Sequence, residues 1–151
     1  MKNILVALEL EGDAEMVLRK VEQIALQFRS KVWLMHIAAP DPDFVGYDAG
    51  PQSVRDIRAE ELRQEHRELQ QMAKDLMNKG IDANGLLVQG ATVATIIEQA
   101  EKLKSDLILL GHHQHGFLYR LFAGSVSEEI ARRSHVPVLL VPVSEQDLSD
   151  S

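Results

Sequence analysis

Five short runs along the chain are almost wholly apolar, and between them apolar residues recur every three to four positions. Ile4-Leu5-Val6-Ala7-Leu8 is too short for a helix and lacks the alternation of a strand with one wet face, so it reads as a strand covered on both sides. Beyond Glu9-Leu10-Glu11-Gly12-Asp13, apolar residues at Met16, Val17, Val21, Ile24, Ala25 and Phe28 mark a helix. Lys31 to Ala38 is the second strand, with Val32, Leu34 and His36 on one side and Trp33, Met35 and Ile37 on the other.

A long charged helix follows, with Ser53 as N-cap and Asp56 three residues on as an imperfect capping box. Ile57, Leu62, Leu69, Met72, Ala73, Leu76 and Met77 give it a partial apolar stripe, and Lys79-Gly80 ends it. Leu86-Leu87-Val88 is the third strand, closed by Gln89-Gly90. Ala91 or Thr92 then opens a helix carrying Val93, Ile96, Ile97, Ala100 and Leu103. Asp106 leads into the fourth strand, Leu107-Ile108-Leu109-Leu110. It ends at Gly111, where the backbone can turn sharply or let a ligand come close. After Gly124-Ser125 a fourth helix carries Val126, Ile130 and Ala131 and stops near Ser134-His135, and Val138-Leu139-Leu140-Val141 is the fifth strand.

Apolar strands alternating with helical crossovers close only as a parallel sheet with helices on both faces, because such crossovers are right-handed. The fold class is therefore α/β, an open three-layer sheet of five parallel strands. Residues 1–143 are expected to form one domain, with a polar, acidic and frayed tail at 144–151. Residues 39 to 52 hold three prolines, two glycines and three aspartates and read as a surface loop without regular structure. Its Phe44 and Tyr47 would pin it to the body of the protein, or serve a lid or a dimer contact.

At 151 residues the chain can bury a continuous core, and without cysteine it has neither a disulfide framework nor thiolate chemistry. A hydrophobic content of 45% and a charged content of 26% are ordinary for a globular protein. The net charge of -7 argues against a general nucleic-acid binder, since many phosphates need many basic residues. A single nucleotide remains possible, needing only a local nest of N–H donors. The N-terminus lacks the basic and long apolar segments of a signal peptide, and no apolar run reaches the roughly 18 residues of a membrane span, so a cytoplasmic protein without membrane contact is expected.

The candidate chemistry gathers after the fourth strand. His112, His113 and His115 invite a catalytic or metal reading. Ser125 or Ser127 with Glu9 could be recruited to a triad, but no Gly-x-Ser-x-Gly elbow is present. The histidine spacing is not the i, i+4 pattern of a helical zinc site, and no second cluster supplies further ligands, so neither a metal nor catalytic residues are expected. A Walker A loop is absent. So is the Gly-x-Gly-x-x-Gly of dinucleotide folds, whose place after the first strand is taken by Glu9 and Glu11, which would repel a pyrophosphate. What remains is Gly124-Ser125-Val126-Ser127, a small-residue start to a helix whose unpaired N–H groups favour an anion. On the residues alone, a phosphate site and a purely structural turn, with Gly111 bending the chain and Ser125 capping the helix, account for the loop equally. Flavin binding is disfavoured by the lack of aromatic residues placed to stack a flavin, with Phe117 and Tyr119 its nearest support.

Gly111, Gly124-Ser125 and Val136-Pro137-Val138-Leu139-Leu140-Val141-Pro142 resemble, in type and spacing, the C-terminal signature of the universal stress protein family of UspA-like proteins. The resemblance covers about nine-tenths of the chain. It implies a Rossmann-like sheet of the adenine nucleotide alpha hydrolase-like kind, with strand order 3-2-1-4-5, so that the loops after Leu8 and Leu110 flank one crevice. By position it places Gly111, His113, Gly124, Ser125, Val126 and Ser127 against ribose and phosphates of ATP or AMP, with or without magnesium. Glu9 stands where the family has Asp, Ile37 where a Val contacts adenine, and Ala7 and Leu8 beside the base. Gln114 replaces the second glycine of the signature, and Gly116 follows two residues later. Gly111-His112-His113-Gln114 is also the loop of a branch that does not retain nucleotide, but this chain keeps the Gly124-Ser125 that the branch lacks. The implied function is that of a stress-response regulatory protein, a nucleotide-dependent dimeric switch with at most slow, incidental ATP hydrolysis and an unidentified protein partner. The alternative is a nucleotide-free interaction dimer whose pocket is filled by Gln114. In the implied order Val138 to Val141 lies at a sheet edge, where homodimers of the family commonly form.

Overall fold

A computed structural model describes residues 1–10, 14–38, 52–113 and 124–143, with the backbone alone at 112, 113, 124 and 125. Strands β1 (Asn3–Leu8), β2 (Lys31–Ala38), β3 (Asp82–Gln89), β4 (Leu107–His113) and β5 (Val138–Val143) alternate with helices α1 (Ala14–Phe28), α2 (Gln52–Asn78), α3 (Thr92–Lys102) and α4 (Gly124–Arg133). The strands form one sheet in the order β3-β2-β1-β4-β5, every neighbouring pair parallel, as the resemblance implies. Of the expected loop at 39–52, only Gln52 is described, and it opens α2; the rest of that loop, with its lid or anchor residues, and the tail at 144–151 lie outside the described residues. Among the described residues no helix is long and apolar enough to cross a membrane.

Strand alternation divides the core in two. Ile4, Val6 and Leu8 of β1 pack with Val32 and Leu34 of β2 against Val17, Val21 and Ala25 of α1 and Leu69, Ala73 and Leu76 of α2. Leu5 packs with Met35, Ile108 and Leu110 against Ile96 and Ala100 of α3 and Ile130 of α4 on the opposite face. Because β1 is central and covered on both sides, Ile4, Leu5 and Val6 are fully buried, as their continuous apolar run requires.

Three of the four helices end in the same way. Ser30, Ile81 and Ser105 each donate an N–H five residues back, to the carbonyls of Ala25, Leu76 and Ala100 at 3.1, 3.1 and 2.9 Å. The residue before each donor has a left-handed backbone: Arg29, Gly80 and Lys104, with φ of 52°, 89° and 51°. This is the Schellman closure of a helix C-terminus, and it turns the chain directly into the next strand.

Four boundaries differ from the sequence-based expectation. Ser53 is not the N-cap of α2, since the helix already includes Gln52, whose side-chain amide donates to Asp56 at 2.9 Å. β3 begins at Asp82 rather than Leu86, because Asp82 to Gly85 pair in register with Lys31 to Leu34, and as an edge strand it tolerates polar residues. Gly85 permits α2 to lie close, since a Cβ there would meet the Leu69 side chain at 3.0 Å and its backbone oxygen at 3.3 Å. β4 does not stop at Gly111 but runs to His113, held by the pairing of Gly111, His112 and His113 with Val141, Pro142 and Val143. The same pairing extends β5 through Pro142, and a proline without an N–H is tolerated because β5 is an edge strand.

Candidate functional site

The order β2-β1-β4 makes the C-terminal ends of β1 and β4 the place where successive connections diverge, toward α1 on one face of the sheet and α4 on the other. Open α/β sheets form a crevice there. Ala7 pairs with Met35 on one side and Leu110 on the other, so the ends of β2, β1 and β4 lie side by side.

The sequence-predicted residues distribute around this crevice. Ala7 and Ile37 are partly buried on the α3/α4 face, and Val126 of α4 packs into the same cluster, so three of the expected contacts share one side of the sheet. Leu8 points the other way and is 4% exposed within the α1/α2 core, which leaves it a packing role with only its backbone at the crevice. Glu9 follows β1 immediately and is exposed. Gly111 is partly buried within β4, opposite Val141, and His113 is the last residue of that strand. Gly124 and Ser125 open α4, as expected, and Ser127 in its first turn is 8% exposed. Gln114 and Gly116 lie outside the described residues. His112 and His113 belong to a strand rather than a loop, and among the described residues no group of three or more His, Cys, Asp and Glu could hold a metal ion.

Beside this crevice lies an acidic cleft that sequence reasoning missed. It has a volume of about 930 Å³ and is lined by Glu9 just after β1, by His36 of β2 and by Ile57, Glu60, Glu61, Glu65 and Glu68 of α2. Two of these carboxylates are held by arginines: Glu60 accepts from Arg67 at 3.1 Å and Arg63 at 3.0 Å, and Glu61 from Arg58 at 3.3 Å. Hydrogen bonds from Arg67 and then Arg63 hold the Glu60 carboxyl below its ordinary range. His36 joins the two walls, donating from Nδ1 to the Leu8 carbonyl at 2.9 Å with Nε2 3.7 Å from Glu65. The glutamates repeat on one side of α2, but no local signal could pair them with a histidine 29 residues earlier.

Electrostatics divide the site into two ends. The glutamate-lined side repels phosphate and suits a neutral, hydrogen-bonding group. The start of α4, with its unpaired N–H groups, is chemically suited to an anion.

The comparisons with known proteins agree with this architecture. The model of the universal stress protein family matches residues 1–142. Universal stress protein C of Escherichia coli O157:H7 is 30% identical over 144 residues, covering 94% of this chain and 96% of that protein. Among solved structures, a universal stress protein in complex with cAMP is 23% identical with a TM-score of 0.66, covering 95% of this chain and 98% of that one. The universal stress protein of Archaeoglobus fulgidus in complex with dAMP is 20% identical with a TM-score of 0.61, covering 93% and 97%. With a family match over nearly its whole length and a sheet of the implied order, the chain belongs to the universal stress protein family.

Proposed function

We propose that this protein binds an adenine nucleotide, ATP or AMP, across the ends of β1 and β4 and acts as a dimeric regulatory switch in a stress response. The observation that carries the reading is the crevice itself: Ala7, Ile37 and Val126 on one face of the sheet, Glu9 just after β1, and a Gly124-Ser125 helix start beyond β4. In this arrangement the base lies against Ala7 and Ile37 with Glu9 accepting from its exocyclic amine. Gly111, His113 and the first turn of α4, Gly124 to Ser127, take ribose and phosphates. Relatives crystallised with cAMP and dAMP support the ligand class. Hydrolysis has no dedicated base in this reading, so turnover is slow and incidental.

Dimerisation is proposed through β5, an outer strand whose Leu140 is 37% exposed. Ligand occupancy would then change the surface offered to a protein partner.

Heat-released ligand from the purified protein is expected to absorb like adenine, and added ATP or AMP to raise the melting temperature. Gln114 in place of a signature glycine favours one second reading, a nucleotide-free interaction dimer. Binding gained only by Gln114→Gly, and absent from the unmodified chain, would select it.

A further inference from the structure

His36 sits near the end of β2 with its ring between two elements. Nδ1 lies 2.9 Å from the Leu8 carbonyl oxygen, and a carbonyl only accepts, so Nδ1 carries a hydrogen. In the neutral ring this leaves a lone pair on Nε2. That nitrogen faces Glu65 Oε2 at 3.7 Å, a buried oxygen with no hydrogen-bond partner among the described residues. Two lone pairs repel. The contact becomes attractive only when a proton is added, on Nε2 or on Oε2, so in either case the closed pair holds one proton more than a neutral imidazole apart from a carboxylate.

Among the described residues, the helix that the pair fastens buries no side chain in its front half. The buried residues of α2 are Leu69, Ala73 and Leu76, all toward its C-terminus. Ahead of them Val54 and Ile57 are 37% and 61% exposed. The side chains of His36 and Glu65 are only 16% and 28% exposed, so their interaction is less screened than the arginine–glutamate pairs around it. The other charged groups around the cleft are Glu9 at the end of β1 and Glu60, Glu61 and Glu68 of α2, together with Arg58, Arg63 and Arg67 that bind two of them. From β3, the residue paired with His36 is Leu87, which is uncharged. Among the described residues α1 contributes nothing to the lining.

We infer that His36 and Glu65 form a proton-controlled latch between the end of the β1–β2 pair and the front half of α2. The closed state holds one proton more than the open one, so it is favoured as pH falls and lost as pH rises. This inference does not depend on nucleotide binding.

Hydrogen exchange of the nucleotide-free protein tests it. After correction for intrinsic rates, amides across residues 58–68 are expected to exchange about fivefold faster near about pH 8 than near about pH 6. His36→Asn removes the latch and gives fast exchange at both. Glu65→Gln supplies an amide N–H to the Nε2 lone pair and gives slow exchange at both. Nitrogen-15 NMR of the imidazole is expected to show the hydrogen of the neutral ring on Nδ1. A neutral ring protonated on Nε2, a wild type without pH-dependent exchange, or either variant keeping the wild-type pH dependence would each overturn the latch.

Discussion

At the scale of single residues, the helix ends show where the chain tolerates strain. Arg29, Gly80 and Lys104 occupy equivalent positions in three Schellman closures, and only one is glycine. A side chain in the left-handed region crowds its own carbonyl, at a cost of roughly 1–2 kcal/mol, partly offset by the greater freedom glycine has in the unfolded chain. Lys104→Gly is therefore expected to raise unfolding stability by about 0.5 to 1 kcal/mol, and Gly80→Ala to lower it by about 1 kcal/mol, read from denaturant midpoints. Nothing lies within 4 Å of a Cβ added at Gly80, so its loss is a backbone effect alone. Equal midpoints for Gly80→Ala and wild type would remove the conformational explanation. Sequence inspection found the glycine because it punctuates a helix. It missed Arg29 and Lys104 because nothing in a charged residue advertises a left-handed backbone.

At the scale of elements, Asp106 links the start of β4 to the start of β1. Its Oδ2 accepts from the backbone N–H groups of Asn3 and Lys2 at 2.9 and 2.8 Å, and these bonds hold its carboxyl below the ordinary range. A carboxyl whose folded value is depressed contributes stability above its unfolded value of about 3.9, and that contribution is lost as pH falls through the lower folded value. Asp106→Asn, which keeps an acceptor but not the charge, is expected to lower the melting temperature at neutral pH and to flatten the acid limb below about pH 4. An unchanged acid limb would mean that the tether carries no linkage.

The central strands and α1 were legible because burial on both faces demands unbroken apolar runs and a helix on a sheet demands a stripe. The first half of β3 was hidden because an edge strand admits Asp82 and Asn84, and because Gly85 serves close contact with α2 rather than a turn. The extension of β4 through Gly111 was hidden too, since a glycine followed by histidines looks like a loop until the pairing with β5 is known. At the site, the crevice and the α4 start could be anticipated from pattern and resemblance. The His36–Glu65 contact could not, being a product of tertiary packing.

At the scale of the whole molecule, a net charge of -7 and an acidic cleft disfavour free phosphate over most of the surface, which is why the proposed phosphate contacts fall at a helix start. The same economy applies to association. β5 ends the sheet with Leu140 exposed and Pro142 unable to donate, and the proposed second copy would cover its apolar edge. Leu140→Lys is expected to shift sedimentation from dimer to monomer while leaving the circular dichroism of the fold intact. A dimer that survives the charge would place the interface elsewhere.

Calorimetric titration of protein stripped of any co-purified ligand measures directly whether the crevice between β1 and β4 accepts an adenine nucleotide. With ATP or AMP, with and without magnesium, a single saturable event approaching one nucleotide per protomer is expected. Absence of binding heat for both nucleotides, from protein verified to be folded and ligand-free, would contradict it.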